Sequence, residues 1–375
     1  MRAIPRLSGD ELLVAGDFAA PVDRREQLEA ALASLAEVGQ GLPLALNLES
    51  ALWRSGHQLS ERGRMRSPPD LLIEALRRCD VRLVSLANNH TGDSGPEGLY
   101  ALRAVLQGEL GLQLDVDELD RIAVSRVRLA TAGTLAVVGA VWSGTGRTAD
   151  RVPHFWQPAA ICRLVARERA RSDFVIAYLH WGYEFEPYPL PAQRAWARAL
   201  VDAGADVVVG AHPHVPQGFE RYRERLIAYS LGSFCMPRTD TIEYFPEEAG
   251  RGLLLELRFA SAGRIEFSFA GIEGVDLATP PRRTDVAARL DELSAPLRQD
   301  LVDYRRWYRG QRTRWYLPAF DGGRLDPVRA RALSMVDTAN RWSGRLRVGG
   351  LARRVVGRAA LGAGGSRGSG RPDGR

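Results

Sequence analysis

Of the six histidines in the chain, four, His90, His180, His212 and His214, stand beside Gly, Asn or Pro where apolar runs end. Asp17 closes the apolar run 12–18, Asn47 and Glu49 close the run 42–50, and Asn89 directly precedes His90. Carboxylate oxygen, amide oxygen and imidazole nitrogen are donors for borderline or hard divalent ions, and no thiolate biases the set toward zinc. The chemistry such a set supports is metal-assisted, with the ion left open among Mn, Zn, Fe and Ca. Taken singly, Asp17 reads as a turn former and Glu49 as a solvated charge. Their weight comes from arriving together.

Apolar runs that stop at polar residues are expected to be buried strands, and in a layered α/β fold the strand C-termini share one edge where distant residues converge. The runs 12–18, 42–50, 81–87, 174–179 and 207–209 are read as such strands. Between them, the segment Ser67, Pro68, Pro69 opens a helix that Asp80 closes, with further helices expected over 96–106 and from Pro191 to a stop at Gly204. Residues 122–142 read as a hairpin about Ala132 and Gly133, and 226–229 and 253–259 as later strands. Alternating strands and helices followed by more β structure predict a layered α/β core.

Composition sets the frame around that core. The formal charge is +6, yet residues 338–375 hold nine Arg against Asp373 alone, so the rest of the chain is slightly acidic and a nucleic-acid partner is not expected. All 51 basic residues are Arg, which is read as codon bias rather than function. Cys79, Cys162 and Cys235 are widely spaced and form neither a disulfide framework nor a thiolate metal site. No apolar run is long enough to span a membrane and no export signal is read, so a cytoplasmic protein is expected. After about residue 280 Tyr304, Trp307, Tyr308, Trp315 and Tyr316 interleave with Arg305, Arg306, Arg309, Arg312 and Arg314. An amphipathic helix with a solvated Arg face is the preferred reading, ahead of a grip on an anionic or aromatic substrate. From Gly362 on, the composition predicts disorder.

The stretches 15–17, 47–49, 85–90 with Asp93 and Gly95, 180–184, 210–215 with Gln217 and Glu220, and 229–234 occur in one order along residues 12–275. In these stretches the chain resembles the CapA family, poly-gamma-glutamate capsule proteins of the calcineurin-like metallophosphoesterase superfamily. The resemblance implies a calcineurin-like layered α/β sandwich over 1–278, and composition adds an Arg/aromatic-rich helical appendage over 279–350 and a basic tail over 351–375. The resemblance further implies Asp17 and Glu49 as carboxylates between two metal positions, with Asn89, His180 and His212 on one metal and His214 on the other. His90 would be the acid or hydrogen-bond donor, with Asp93 and Asp17 as further acid/base candidates. Glu184 and Glu220 match family positions with no role assigned, and His57 and His154 are read as surface or structural. The pattern also departs from the superfamily. Ala19 stands where a ligating His is usual, Glu49 where Asp is usual and Ser233 where Asn is usual, so single-metal occupancy becomes plausible and a symmetric two-metal clamp on a phosphoester less so.

Three functions remain open. One is a metal-dependent hydrolase acting on a peptide or poly-gamma-glutamate-like polymer. Another is a peptide epimerase, as in CapA-like lasso-peptide epimerases, inverting an α-carbon by His/Asp acid/base chemistry. The last is a non-catalytic module that keeps metal for assembly.

Overall fold

The computed structural model describes residues 4–53, 65–112, 114–116, 123–143, 158–237, 246–260 and 263–316. β1 (Glu11–Phe18) is buried along all but its first residue, as a run apolar on both faces must be. The chain leaves it into α1 (Arg25–Val38), which lies outside the motif-bearing stretches; Leu28, Leu32 and Leu35 at helical spacing bury one face of it. β2 (Leu44–Leu48) returns beside β1, and two short strands follow, β3 (Ala51–Leu52) and β4 (Arg66–Ser67), paired with each other. α2 (Pro69–Arg78) begins on the expected proline, whose missing amide donor costs nothing in a first turn. β5 (Val81–Ser85) then leads through Asn88, Asn89 and His90 into α3 (Gly95–Glu109).

β6 (Leu114–Val116), β7 (Ala123–Arg128) and β8 (Thr134–Ser143) form an antiparallel meander, the expected hairpin among them. α4 (Pro158–Arg169), β9 (Phe174–Gly182), α5 (Pro191–Asp202) and β10 (Val207–Ala211) alternate next. They are followed by β11 (Phe219–Tyr222), β12 (Arg225–Ala228) and β13 (Ser233–Cys235). The long hairpin of β14 (Arg251–Ala260) and β15 (Arg264–Glu273), β16 (Arg282–Thr284), α6 (Ala287–Ser294) and α7 (Leu301–Tyr316) complete the described chain.

Two sheets result. One runs β16-β15-β14-β1-β2-β5 with β13 also on β1, and the other β11-β12-β10-β9-β8-β7-β6. Leu12, Val14, Ala45 and Leu83 of the first pack against Val137, Ile176, Tyr178 and Val209 of the second, so one core lies between the sheets. The outer face of the first sheet is covered by α1, α2 and α3, and that of the second by α4, α5 and α7. This is the layered α/β sandwich expected above. β1, β2 and β5 are mutually parallel, as are β8, β9, β10 and β12, so each sheet has a carboxyl-terminal edge.

The Arg/aromatic stretch packs as the amphipathic reading predicts. Tyr304 and Tyr308 are buried while Arg305, Arg306 and Arg309 are exposed. Tyr304 donates to the Pro189 carbonyl at 2.7 Å, and the Trp307 ring meets that of Tyr188 edge-on at 4.9 Å. The side chains of Arg312, Arg314, Trp315 and Tyr316, the histidines His57 and His154, and the tail from 351 lie outside what the structure describes. No helix among the described residues is long and apolar enough to cross a membrane.

Candidate metal centre

The carboxyl-terminal edges of the two sheets meet, and the six expected donors meet with them. Asp17 comes from the end of β1, Glu49 follows β2, and Asn89 lies beyond β5. His180 lies within β9, two residues earlier than the strand exit at which it was expected, and His212 and His214 follow β10. Backbone geometry is spent to gather them. His212 has φ 95° and His214 φ 56°, conformations that cost an L residue free energy and persist only where surroundings impose them. The His212 amide, turned by that conformation, donates to Asp17 Oδ2 at 2.9 Å, which ties the two sheets together at the centre. Gly16 permits the matching approach on the other side, since a Cβ there would sit 1.9 Å from the Gly232 carbonyl oxygen.

Two overlapping groups of donor atoms, each mutually within 4.8 Å, occupy this edge: Glu49 with His180 and His212, and Asp17 with Glu49 and His214. Glu49 belongs to both, so it is the carboxylate placed to bridge, while Asp17 sits with His214, 3.2 Å from Oδ2 to Nδ1. Glu49 reaches 3.7 Å to His180 Nε2 through one oxygen and 3.9 Å to His214 Nε2 through the other. Asn89 Oδ1 lies 2.7 Å from His180 Nε2, which sets the amide oxygen directly beside that imidazole nitrogen. Asp17, Glu49, His180 and His212 are all at most 1% exposed.

The residues present fit a divalent cation on one structural ground above others. Both oxygens of Glu49 and Nδ1 of His212 are buried and have no hydrogen-bond partner among the described residues. A buried carboxylate without donors is costly unless a cation or proton meets it. The electrostatics agree. Burial, and next the charge of Asp17, pushes the Glu49 carboxyl above its ordinary value. Burial also opposes the ionised form of Asp17, but the His180 and His214 imidazoles, 3.6 and 3.2 Å from its oxygens, outweigh it and hold that carboxyl low. For His214, burial is overcome by Glu49 and Asp17, and its pKa rises to about 9. For His212, burial and the neighbouring imidazoles of His180 and His214 drive it well below the ordinary range, leaving it the neutral donor that metal coordination needs.

His90 stands at the rim. Its Nδ1 meets Asp93 Oδ2 at 2.8 Å, and its Nε2 faces Glu49 Oε1 at 3.8 Å. Burial lowers its proton affinity, yet the Asp93 hydrogen bond and the Glu49 charge carry the net shift upward. The rim loop is braced by Asn88, whose Oδ1 accepts the amides of His90 and Thr91, and by Arg66, which donates to the Asp93 carbonyl. Asn47 joins the centre without having been a ligand candidate. Its Nδ2 donates to Asp17 Oδ1 at 2.7 Å and lies 3.1 Å from His180 Nδ1, fixing both. Its position two residues before Glu49 at a strand end, hence on the same strand face, was the available signal.

Glu220 lies outside the centre. It accepts from Arg194 at 2.6 Å, from Arg198 at 2.9 and 3.0 Å and from Tyr229 at 2.9 Å, in a buried ion-pair cluster beneath α5 and α7. Ala19 contributes only backbone, its amide donating to the Cys235 carbonyl at 2.8 Å.

Fold and site together define a layered α/β protein whose candidate metal centre lies where the carboxyl edges of two sheets join. The chain belongs to the family described as bacterial capsule synthesis protein PGA_cap, whose model matches residues 14–238 and so includes every one of the six donors. It is similar to the capsule biosynthesis protein CapA of Bacillus anthracis, 29% identical over 190 residues, 48% of this chain and 46% of that protein. The PGA biosynthesis protein CapA of Bacillus subtilis is 33% identical over 174 residues, 43% of this chain and 44% of that one. A probable polyglutamine synthesis accessory protein of Mycobacterium tuberculosis is 30% identical over 242 residues, 58% and 62% of the two chains. The chain thus spans about half the length of the curated relatives it matches.

Proposed function

We propose that this protein is a divalent-metal-dependent hydrolase acting on amide bonds of a peptide or poly-gamma-glutamate-like chain, with Asp17, Glu49, Asn89, His180, His212 and His214 as metal ligands. The observation that carries the reading is Glu49, a buried carboxylate shared by two donor groups, neither of whose oxygens has a hydrogen-bond partner among the described residues. The names of the relatives, which concern capsule, PGA and polyglutamine synthesis, support the substrate class. A bound cation would supply Lewis-acid polarisation of the substrate oxygen. The chain's own residues would do the rest. Asp93 fixes the His90 ring through Nδ1 and turns Nε2 toward the centre, where protonated His90 gives its proton to the nitrogen that leaves as the amide C–N bond breaks and a water oxygen, entering from the rim, bonds to the carbonyl carbon. Asn47 holds Asp17 and His180 in place, and the two sheets exclude water from all sides but the rim.

A second reading is favoured by one observation. Two His–carboxylate pairs, His90 with Asp93 and His214 with Asp17, face the same Glu49, and paired acid/base groups suit removal and return of a proton at an α-carbon. That makes a peptide epimerase the alternative. One experiment separates them: candidate peptide incubated in heavy water gives chain cleavage under the hydrolase reading, and deuterium at one α-carbon without cleavage under the epimerase reading. His90→Ala is expected to keep the metal, read by elemental analysis, while turnover falls about a hundredfold or more. Unchanged turnover in that variant would leave a binding module as the better account.

A further inference from the structure

The chain leaves β9 through a tight turn, Tyr183 to Glu186, closed by the Glu186 amide donating to the Tyr183 carbonyl at 3.3 Å. Its third residue, Phe185, has φ 60°, a left-handed conformation that turns of this kind reserve for Gly or Asn. A bulky residue held there costs conformational free energy, and such strain persists only where its surroundings impose it. Three strained residues meet at this point, because the Phe185 amide donates at 2.7 Å to the carbonyl of Pro213, which stands between His212 and His214. Gln217 fastens the turn from the same side, its Nε2 donating to the Glu186 carbonyl at 2.7 Å.

The rings follow the same course. Between centroids, His180 lies 4.5 Å from His212, His212 5.9 Å from His214, and His214 6.3 Å from Phe185. Phe185 thus ends a row of three imidazoles with a ring that offers a cation no donor atom. His214 is the histidine of that row with most need of a neighbour. It is 9% exposed against 1% for His180 and for His212, and its contacts with Asp17 and Ser233 both fall on Nδ1. An imidazole held at one nitrogen can pivot, and an aromatic ring packed beside it removes that freedom. Gly would take this turn without strain, so what the strained residue adds is its phenyl ring. We propose that Phe185 is a positioning residue of the metal centre: its amide fixes the turn that carries His212 and His214, and its ring holds the His214 imidazole in the orientation ligation needs. This inference rests on the reading that the centre holds a cation, and it concerns the donor group of Asp17, Glu49 and His214.

The test is titration of the metal-free full chain with cobalt(II), read by the visible absorption of the bound ion, beside urea unfolding of the metal-free protein. Phe185→Gly keeps the turn and its amide and loses the ring. It is expected to unfold at the same urea concentration as wild type or a higher one, since Gly suits the turn. Its cobalt is expected to bind roughly tenfold more weakly, the scale on which the outer partners of metal ligands act, and with a changed absorption spectrum. Phe185→Tyr is expected to restore wild-type affinity and spectrum. His214→Ala removes the ligand itself, and adding Phe185→Gly to it is expected to weaken binding no further. Wild-type cobalt binding in Phe185→Gly, no recovery in Phe185→Tyr, or an undiminished effect of Phe185→Gly in the His214→Ala background overturns the proposal. So does weaker binding in Phe185→Gly that comes with lower metal-free stability, which marks the ring as packing alone. Wild type that takes up no cobalt sinks the metal-dependent reading itself, whereas stoichiometric cobalt undisturbed by Phe185→Gly sinks the positioning role alone.

Discussion

At the scale of single residues, the centre is a place where the metal-free fold carries a cost. Glu49 is buried with its pKa raised from an ordinary 4.5 by burial and then by Asp17. An acid whose folded value lies above its unfolded value favours the unfolded chain once pH passes the unfolded value, and the penalty grows until the folded value is reached. Glu49→Gln never carries that charge. After chelation, the variant is therefore expected to unfold at higher urea than wild type at pH 7, with the gap closing toward pH 4. With metal supplied the order reverses, because Gln offers a poorer bridge; a wild type that outlasts the variant even after chelation would contradict this account. The residues of the centre differed in how far they could be read from sequence. His212 and His214 were legible because few histidines exist and these follow a buried run within a Gly- and Pro-marked turn. Asn47 was not, because an amide two places before a carboxylate has many uses, and only the neighbouring strand shows that it bridges Asp17 and His180.

At the scale of elements, the site depends on close backbone approaches and on a buried clamp behind it. Gly16 lies in β1 directly before Asp17, and a Cβ there meets the Gly232 carbonyl, which is backbone and cannot swing away. Gly16→Ala is expected to cost about 1–3 kcal/mol, the usual range for overpacking, and to lower metal stoichiometry by displacing Asp17. Urea unfolding with elemental analysis checks both effects. The clamp is Glu220 with Arg194, whose guanidinium also donates to the Leu297 and Gln299 carbonyls and stacks 4.5 Å from the Tyr304 ring. Burial alone would raise the Glu220 pKa, but Arg198 and Arg194 bring it below its ordinary 4.5. A depressed acid lends stability that is present above 4.5 and lost as pH falls through the folded value. Glu220→Gln leaves Arg194 buried without its counter-charge, so a loss of about 3–5 kcal/mol is expected at pH 7, shrinking in stronger acid. Before this clamp, β1, β2, β5, β9 and β10 were legible from apolar runs and α2, α3 and α5 from prolines and glycines, whereas α1 and α4 were not. The clamp itself was not, because it joins residues far apart in sequence whose meeting depends on how α7 docks.

At the scale of the whole molecule, the two sheets share one core, and buried polar groups join them at the edge that carries the centre. Asp17, Glu49 and Asn89 come from strands of the first sheet and the loops after them, and His180, His212 and His214 likewise from the second, so a cation held by both sets would cross-brace them. The layering was legible because apolar strands ending in polar residues belong inside such folds, whereas strand order was not, since neighbours such as β1 and β14 are set by packing across long loops. A ligand that binds only the folded chain adds its binding free energy to stability, about 4 kcal/mol at a thousandfold excess over Kd. Chelation is therefore expected to lower the melting temperature, and to do so unevenly. The amide of His212, bonded to Asp17, and its neighbours on both carboxyl edges should lose protection from hydrogen exchange first. The opposite edge has its own closure, since Asp10, just before β1, accepts the Thr131 amide at 2.8 Å and the Ala132 amide at 3.0 Å from the turn between β7 and β8, and it should keep its protection. Uniform loss across both edges would mean that the cation stabilises the fold as a whole rather than bracing the seam between its sheets.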